Sequence, residues 1–165
     1  MLVAPSLAAG GGGALVRLRH VVPDDHAWVL LRRAGDDPPE ALGEEIWRDT
    51  SGRLDALVWS IDDTAALVAA GSLLKSRLTA LRVYAGGPPG TDGVASPASW
   101  PMLDGIVAVS HSEAEAMASR LAGDECIVAD PAAGAVVCAA CQLAEQLGLG
   151  RVVVAIARNI EPIGG

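Results

Sequence analysis

The stretch Leu57-Val58-Trp59-Ser60-Ile61-Asp62-Asp63-Thr64-Ala65-Ala66 decides how this chain folds. It overlaps residues 54–59, which predict a buried strand, and a helical pattern starts near Thr64. A strand, a tight turn and a helix N-terminus together form the usual geometry for holding a phosphate on backbone N–H groups. This turn contains no glycine and carries Asp62 and Asp63, which repel a phosphate at close range. The position therefore indicates a ligand site, and the residues argue against a phosphate there.

Strands and helices alternate outward from this stretch. Residues 1–13 are predicted to be a flexible lead, residues 14–165 a single α/β domain, and residues 14–22 either a short helix or a strand. The apolar runs predict strands at 27–31, 54–61, 79–85, 105–110, 127–129 and 151–157. The helical patterns predict helices at 40–50, 64–77, 112–123 and 131–147, the third with a capping box of Ser110 and Glu113. This alternation predicts a three-layer fold, a mostly parallel sheet with helices on both faces.

Composition excludes several functions. The net charge of −8 argues against nucleic acid or an anionic membrane as a partner, because no basic stripe is present. No apolar run approaches the roughly 18 residues of a membrane span. The three cysteines (Cys126, Cys138, Cys141) form no disulfide framework, so we expect a cytoplasmic protein. The spacing of Cys138 and Cys141 falls inside an alanine-rich helix and favours a packed helix face over a metal site.

From about residue 27 to residue 161, several motifs resemble the cysteine synthase and cystathionine β-synthase group. These are fold-type-II enzymes that use pyridoxal phosphate (PLP). The run Gly43-Glu44-Glu45-Ile46-Trp47-Arg48-Asp49-Thr50 is similar to the family's G-x-E-I-W-x-D-T, and residues 54–58 are similar to its V-D-x-F-V strand. Residues 106–114 resemble V-x-V-S-x-x-E-A, and residues 128–135 resemble the helix start G-I-S-S-G-A-A. The resemblance implies half of a fold-type-II large domain, corresponding to the C-terminal half of the family's chain.

The residues that bind PLP in the family are not retained. The family's G-I-G-T-G-G-T turn, whose amides hold the PLP phosphate, corresponds here to residues 60–66, with every glycine replaced. The family's P-S-x-G-E-R, whose hydroxyl bonds the pyridine nitrogen, corresponds to residues 157–162, where Asn159 is the nearest substitute. The Schiff-base lysine belongs to the family's N-terminal half, and the only lysine here is Lys75, at the end of a helix. We therefore expect no PLP and no other cofactor or metal.

The candidate site residues surround the vacated cofactor cleft. Asp62, Asp63 and His111 are the candidates for proton transfer, and Trp59, Ser60, Thr64, Arg158 and Asn159 are the candidates for ligand contacts. Each has a structural alternative. Asp62 and Asp63 would serve equally well as an acidic helix cap, His111 as a surface residue and Arg158 as a solvated arginine. Trp59 would either fill the space of the lost ring or stack on a new ligand.

Three functions follow from the resemblance and from the lost PLP-binding residues. One of them, a half-enzyme that regains PLP with a separately encoded N-terminal half, is disfavoured by the Asp62-Asp63 turn. The first is a PLP-independent small-molecule-binding protein that reuses the cleft, as a cofactor-free cyclase, isomerase or lyase in bacterial specialised metabolism. The alternative is a non-catalytic pseudoenzyme that regulates a partner, which predicts a filled cleft and a large apolar patch. Loss of the family's N-terminal half would expose apolar surface and a sheet edge, which predicts a homodimer or a partner protein.

Overall fold

Strands and helices alternate along the chain as the hydrophobic pattern predicts. The computed structural model describes residues 15–87 and 101–163, apart from the side chain of Thr64. The strands are β1 (Val16–Arg17), β2 (Trp28–Arg33), β3 (Ala56–Ser60), β4 (Arg82–Gly87), β5 (Gly105–Ala108), β6 (Ile127–Ala129), β7 (Val152–Ala157) and β8 (Ile160–Pro162). The helices are α1 (Pro39–Thr50), α2 (Thr64–Arg77), α3 (His111–Asp124) and α4 (Pro131–Leu147). The predicted flexible lead at 1–13 lies outside the described residues.

Six of the strands form one sheet, in the order β1-β2-β7-β3-β4-β5. All neighbouring pairs are parallel except β1 with β2, and the central strand β7 pairs with both β2 and β3. Strands β6 and β8 form a separate antiparallel pair. Residues 14–22, which the pattern left open between helix and strand, contribute the short edge strand β1. The α/β class with a mostly parallel sheet is confirmed.

Helices cover both faces of the sheet. Successive strand residues point to opposite faces, so Val29, Val58 and Val153 pack in the core under α3 and α4. Leu57 and Val154 pack in the core under α1 and α2 on the other side. Three layers therefore enclose two apolar cores, and the carboxyl ends of the parallel strands meet at one edge of the sheet.

Several predicted strand boundaries are wrong: β2 extends to Arg33 instead of residue 31, and β5 ends at Ala108 instead of residue 110. Two further differences concern β3 and β4. The strand predicted at 54–61 ends at Ser60, and Ile61–Asp63 form a single 3₁₀ turn. The strand predicted at 79–85 lies at Arg82–Gly87, because Gly86 and Gly87 belong to it. A Cβ atom on Gly87 would lie 2.5 Å from Cγ2 of the buried Ile61, and one on Gly86 would lie 3.0 Å from Cβ of Ala139. These glycines permit close packing inside the sheet, although in the sequence they resemble a turn.

The capping box of α3 is confirmed. The side chain of Ser110 accepts a hydrogen bond from the N–H of Glu113 (3.2 Å), and Oε1 of Glu113 accepts one from the N–H of Ser110 (3.3 Å). The helix begins at His111, one residue earlier than predicted. In the described ranges, every helix is too short or too polar to cross a lipid bilayer.

Candidate functional site

A cavity of about 210 Å³ lies where β3 and β7 end, against the first turn of α4. Ligands collect at this edge of parallel sheets because loops and helix N-termini converge there. The cavity, called the Asp62 pocket below, is lined by ten residues: Ser60, Asp62, Asp63, Asp130, Ala132, Ala133, Val136, Ala157, Arg158 and Asn159. Five of these, Ser60, Asp62, Asp63, Arg158 and Asn159, are residues that the sequence singled out.

An ion pair bounds one side of the pocket. Nε of Arg158, just after β7, donates to Oδ2 of Asp63 at 2.8 Å, and the Asp63 side chain is only 22% exposed. Asp63 stands immediately before α2, as the capping alternative required, but its side chain makes no capping hydrogen bond with that helix. Asp63 is therefore the N-cap residue by position, without a capping hydrogen bond from its side chain. Its carboxylate turns toward the guanidinium that the neighbouring strand β7 brings to the same edge.

A second polar contact fixes the opposite side of the pocket. Asp130 caps α4, since its Oδ1 accepts a hydrogen bond from the N–H of Ala133 at 2.8 Å. Its other oxygen, Oδ2, accepts one from Nδ2 of Asn159 at 2.7 Å. Sequence reasoning placed Asp130 only at the helix start and missed it as a pocket residue. Asp130 reaches the pocket because α4 packs against β3 and β7 with its N-terminus at this edge.

Asp62 is the acidic residue of the pocket whose carboxylate is left free. Its backbone N–H donates to Oγ of Ser60 at 3.2 Å, and the residue is exposed. Within residues 15–87 and 101–163, no hydrogen bond or ion pair involves its carboxylate. The lining thus holds three carboxylates and one guanidinium, and Asp62 is available to accept a proton or to bind a cationic group.

Two predicted site residues, Trp59 and His111, do not contribute side chains to the pocket. Trp59 is 1% exposed in the core under α1 and α2, because strand alternation points it away from Ser60 and the pocket. Its predicted role in ligand stacking is corrected to core filling. His111 is an exposed residue at the start of α3 and is not part of the lining. Thr64 begins α2, and its side chain lies outside the described part of the structure.

The pocket does not fit PLP. The turn that would hold the phosphate presents Asp62 and Asp63, and two unit charges 4 Å apart interact by roughly 4 kcal/mol at an effective dielectric constant of about 20. Lys75, the only lysine of the chain, bonds the carboxylate of Asp104 at 2.6 Å and the carbonyl oxygen of Met102 at 2.8 Å. Lys75 lies near the C-terminal end of α2, eleven residues or roughly 16 Å along the helix from Thr64. A Schiff base to PLP in the Asp62 pocket is out of its reach.

The cysteine pair on α4 is a packed helix face, as its spacing indicates. Burial raises the pKa of Cys138, and it raises the pKa of Cys141 to about 12. Both thiols are free. Their raised pKa values make both thiols poor nucleophiles at neutral pH.

Comparisons with known proteins agree with this fold. No protein-family model matches the chain. Cysteine synthase B of Pseudomonas aeruginosa is 29% identical over 134 residues, which cover 72% of this chain and 45% of that enzyme. The chain thus spans about half the length of the curated relative it matches.

Two solved structures of enzymes are similar to this chain in fold. An O-acetylserine-dependent cystathionine β-synthase from Helicobacter pylori has a TM-score of 0.64 at 23% identity, over 73% of this chain and 46% of that one. An O-ureido-L-serine synthase has a TM-score of 0.63 at 26% identity, over 73% of this chain and 44% of that one. Over almost three quarters of its length, this chain is a relative of the cysteine synthase group of fold-type-II PLP enzymes.

Proposed function

We propose that this chain is a PLP-independent small-molecule-binding protein that uses the Asp62 pocket, and that it catalyses a cofactor-free cyclisation, isomerisation or elimination. The observation that carries the proposal is the free carboxylate of Asp62 in an open cavity whose other polar groups are already held in place. Such an arrangement provides an acid–base group next to fixed hydrogen-bonding partners. Relatives use PLP chemistry, whereas this pocket supplies proton transfer from its own side chains.

Each polar group has a distinct part in this proposal. Asp62 accepts a proton from the ligand or pairs with a positively charged group on it. Arg158 stays positively charged and is half exposed (50%), so it can bind a negative group while keeping Asp63 oriented. Asn159 and Ser60 donate and accept hydrogen bonds that orient the ligand. The pocket of about 210 Å³ admits a compact metabolite or one end of a larger one.

The alternative of a non-catalytic pseudoenzyme finds less support. It predicts a filled cleft and a large apolar surface patch. The pocket is open, and in the described ranges the exposed large hydrophobic residues are only Val128, Leu149 and Ile163. Val128 on β6 and Ile163 next to the paired strand β8 are neighbours, whereas Leu149 lies after α4, so the three do not form one large apolar patch.

Substituting the acidic turn tests the proposal. We expect Asp62→Asn to lower product formation in the native pathway by about a hundredfold or more, since general acid–base groups typically contribute that much. The loss should occur without a change in melting temperature, because no described residue bonds the Asp62 carboxylate. Product levels would be measured in a host strain carrying each variant.

Asp25→Asn is the matched control, because its side chain is 87% exposed and lies outside the pocket lining. It should leave product formation unchanged. If both Asp62→Asn and Asp63→Asn support normal product formation, acid–base catalysis in this pocket is wrong.

A further inference from the structure

A second and larger cavity lies at the opposite edge of the sheet. It has a volume of about 810 Å³ and is formed by the segments that precede β3, β4 and β7. Its lining includes Trp28, Leu54, Leu78, Leu81, Leu149 and Val152 as apolar residues. We call this cavity the Arg53 groove. Its volume lies within the roughly 300–1,000 Å³ range of pockets that take small organic ligands.

The charge of the groove is opposite to that of the whole chain. Three arginines, Arg53, Arg77 and Arg151, line it against a single carboxylate, Asp55, whereas the chain has a net charge of −8. A fourth guanidinium, that of Arg17, lies 3.7 Å from the ring centroid of Trp28, which also lines the groove. This edge is therefore richer in positive side chains than the chain as a whole.

Two of these arginines already have partners. Arg151 pairs with Asp55 (Nη1 to Oδ1, 3.2 Å), and Arg77 pairs with Glu44 (Nη1 to Oε2, 2.7 Å). The C-terminal ends of α1, α2 and α4 also meet here, and their carbonyl groups favour positive side chains. Arg53 differs, because its guanidinium is exposed and has no hydrogen bond or ion pair within the described residues.

Leu149 provides an uncovered apolar surface beside this charge. Its side chain is among the most exposed of the large hydrophobic residues, at 72%. It follows Gly148, whose φ of 80° ends α4, and precedes Gly150, whose φ is 90°. Both glycines have a positive φ, which residues with a side chain rarely adopt. The turn that they form places Leu149 in the lining of the groove.

We propose that the Arg53 groove is a second ligand site, for a small organic anion with an apolar body. The guanidinium of Arg53 binds the carboxylate, phosphate or sulfonate group, and the apolar body lies against Leu149 and Trp28. This site is independent of the Asp62 pocket, since the two cavities lie at opposite edges of the sheet and share no lining residue.

The fluorescent probe anilinonaphthalene sulfonate, which joins an apolar body to a sulfonate, tests this proposal. Titration into the folded protein should give saturable binding with energy transfer from tryptophan. Arg53→Ala should weaken the affinity for the probe by about fivefold, the effect of losing one exposed charge pair. Added salt should also weaken the affinity of the wild type for the probe. Leu149→Asp should abolish binding, because it places a negative charge beside the sulfonate.

Arg120→Ala is the control, since Arg120 lies on α3, outside the groove, and is half exposed. It should bind the probe as the wild type does. Thermal unfolding followed by circular dichroism shows whether each variant is folded at the temperature of the titration. The proposal is overturned if binding does not saturate, if Arg53→Ala and Leu149→Asp both bind as tightly as wild type, or if Arg120→Ala weakens binding equally.

Discussion

Gly134→Ala is expected to lower the free energy of unfolding by about 2–3 kcal/mol, the typical cost of overpacking a core. Gly134 is where α4 crosses α3, and a Cβ atom there would lie 2.2 Å from the carbonyl oxygen of Ala114 and 3.1 Å from the backbone nitrogen of Ala118. Both neighbours are backbone atoms, so a rotamer change cannot relieve the clash and the helices must separate. Denaturant unfolding followed by circular dichroism measures the loss.

Gly123→Ala is the matched control for this substitution. Gly123 lies in α3 and a Cβ atom there would meet nothing within 4 Å. The added methyl group should raise stability by up to about 1 kcal/mol, because alanine has the higher helix propensity. Equal effects of the two substitutions would contradict the close crossing of α3 and α4. Since Ala133 and Val136 line the Asp62 pocket, separation of these helices should also change the pocket.

Glu45→Ala is expected to destabilise the protein by about 3 kcal/mol, because it leaves a buried guanidinium unpaired. The side chain of Arg32 on β2 is only 3% exposed, and its Nη2 donates to Oε2 of Glu45 on α1. Its Nε already has no hydrogen-bond partner within the described residues. Equilibrium unfolding in urea gives the free-energy change directly.

Replacing Arg32, the other member of this ion pair, should lower the free energy of unfolding by less than Glu45→Ala does. After Arg32→Met the Glu45 carboxylate, at 30% exposure, can turn to water. The double variant Arg32→Met/Glu45→Leu should be close to wild type, since apolar replacements of a buried pair are often neutral or stabilising. If Arg32→Met proves more damaging than Glu45→Ala, the charge on Arg32 is not the source of the instability.

Much of the fold follows from the sequence, because the long helices and the central strands carry clear periodicity. Helix α2 begins and ends where its pattern predicts, at Thr64 and Arg77, and the Ser110 capping box marks the start of α3 to within one residue. The predicted position of β4 was wrong because Gly86 and Gly87 suggest a turn in the sequence. Only the packing of Ile61 and Ala139 against them reveals their place in the sheet.

The candidate site was predicted less completely. Ser60, Asp62 and Asp63 were found because they lie at and just after the end of a strand, in the position of a phosphate-binding turn. Asp130 was missed because its place in the pocket lining depends on how α4 packs against β3 and β7. No local sequence pattern encodes that packing. His111 follows β5, which β4 separates from β3, and it lies outside the pocket lining. The expected homodimer or protein partner stays a prediction.

Loading with PLP is the most direct test of the account. The purified protein is incubated with excess PLP, desalted, and scanned for internal-aldimine absorbance, and a borohydride-reduced sample is analysed by mass spectrometry. We predict no retained PLP and no aldimine absorbance, with any adduct confined to trace reaction at Lys75 or the N-terminus. Retention of one equivalent of PLP per chain, with aldimine absorbance that survives desalting, would contradict the claim that this pocket has lost its cofactor.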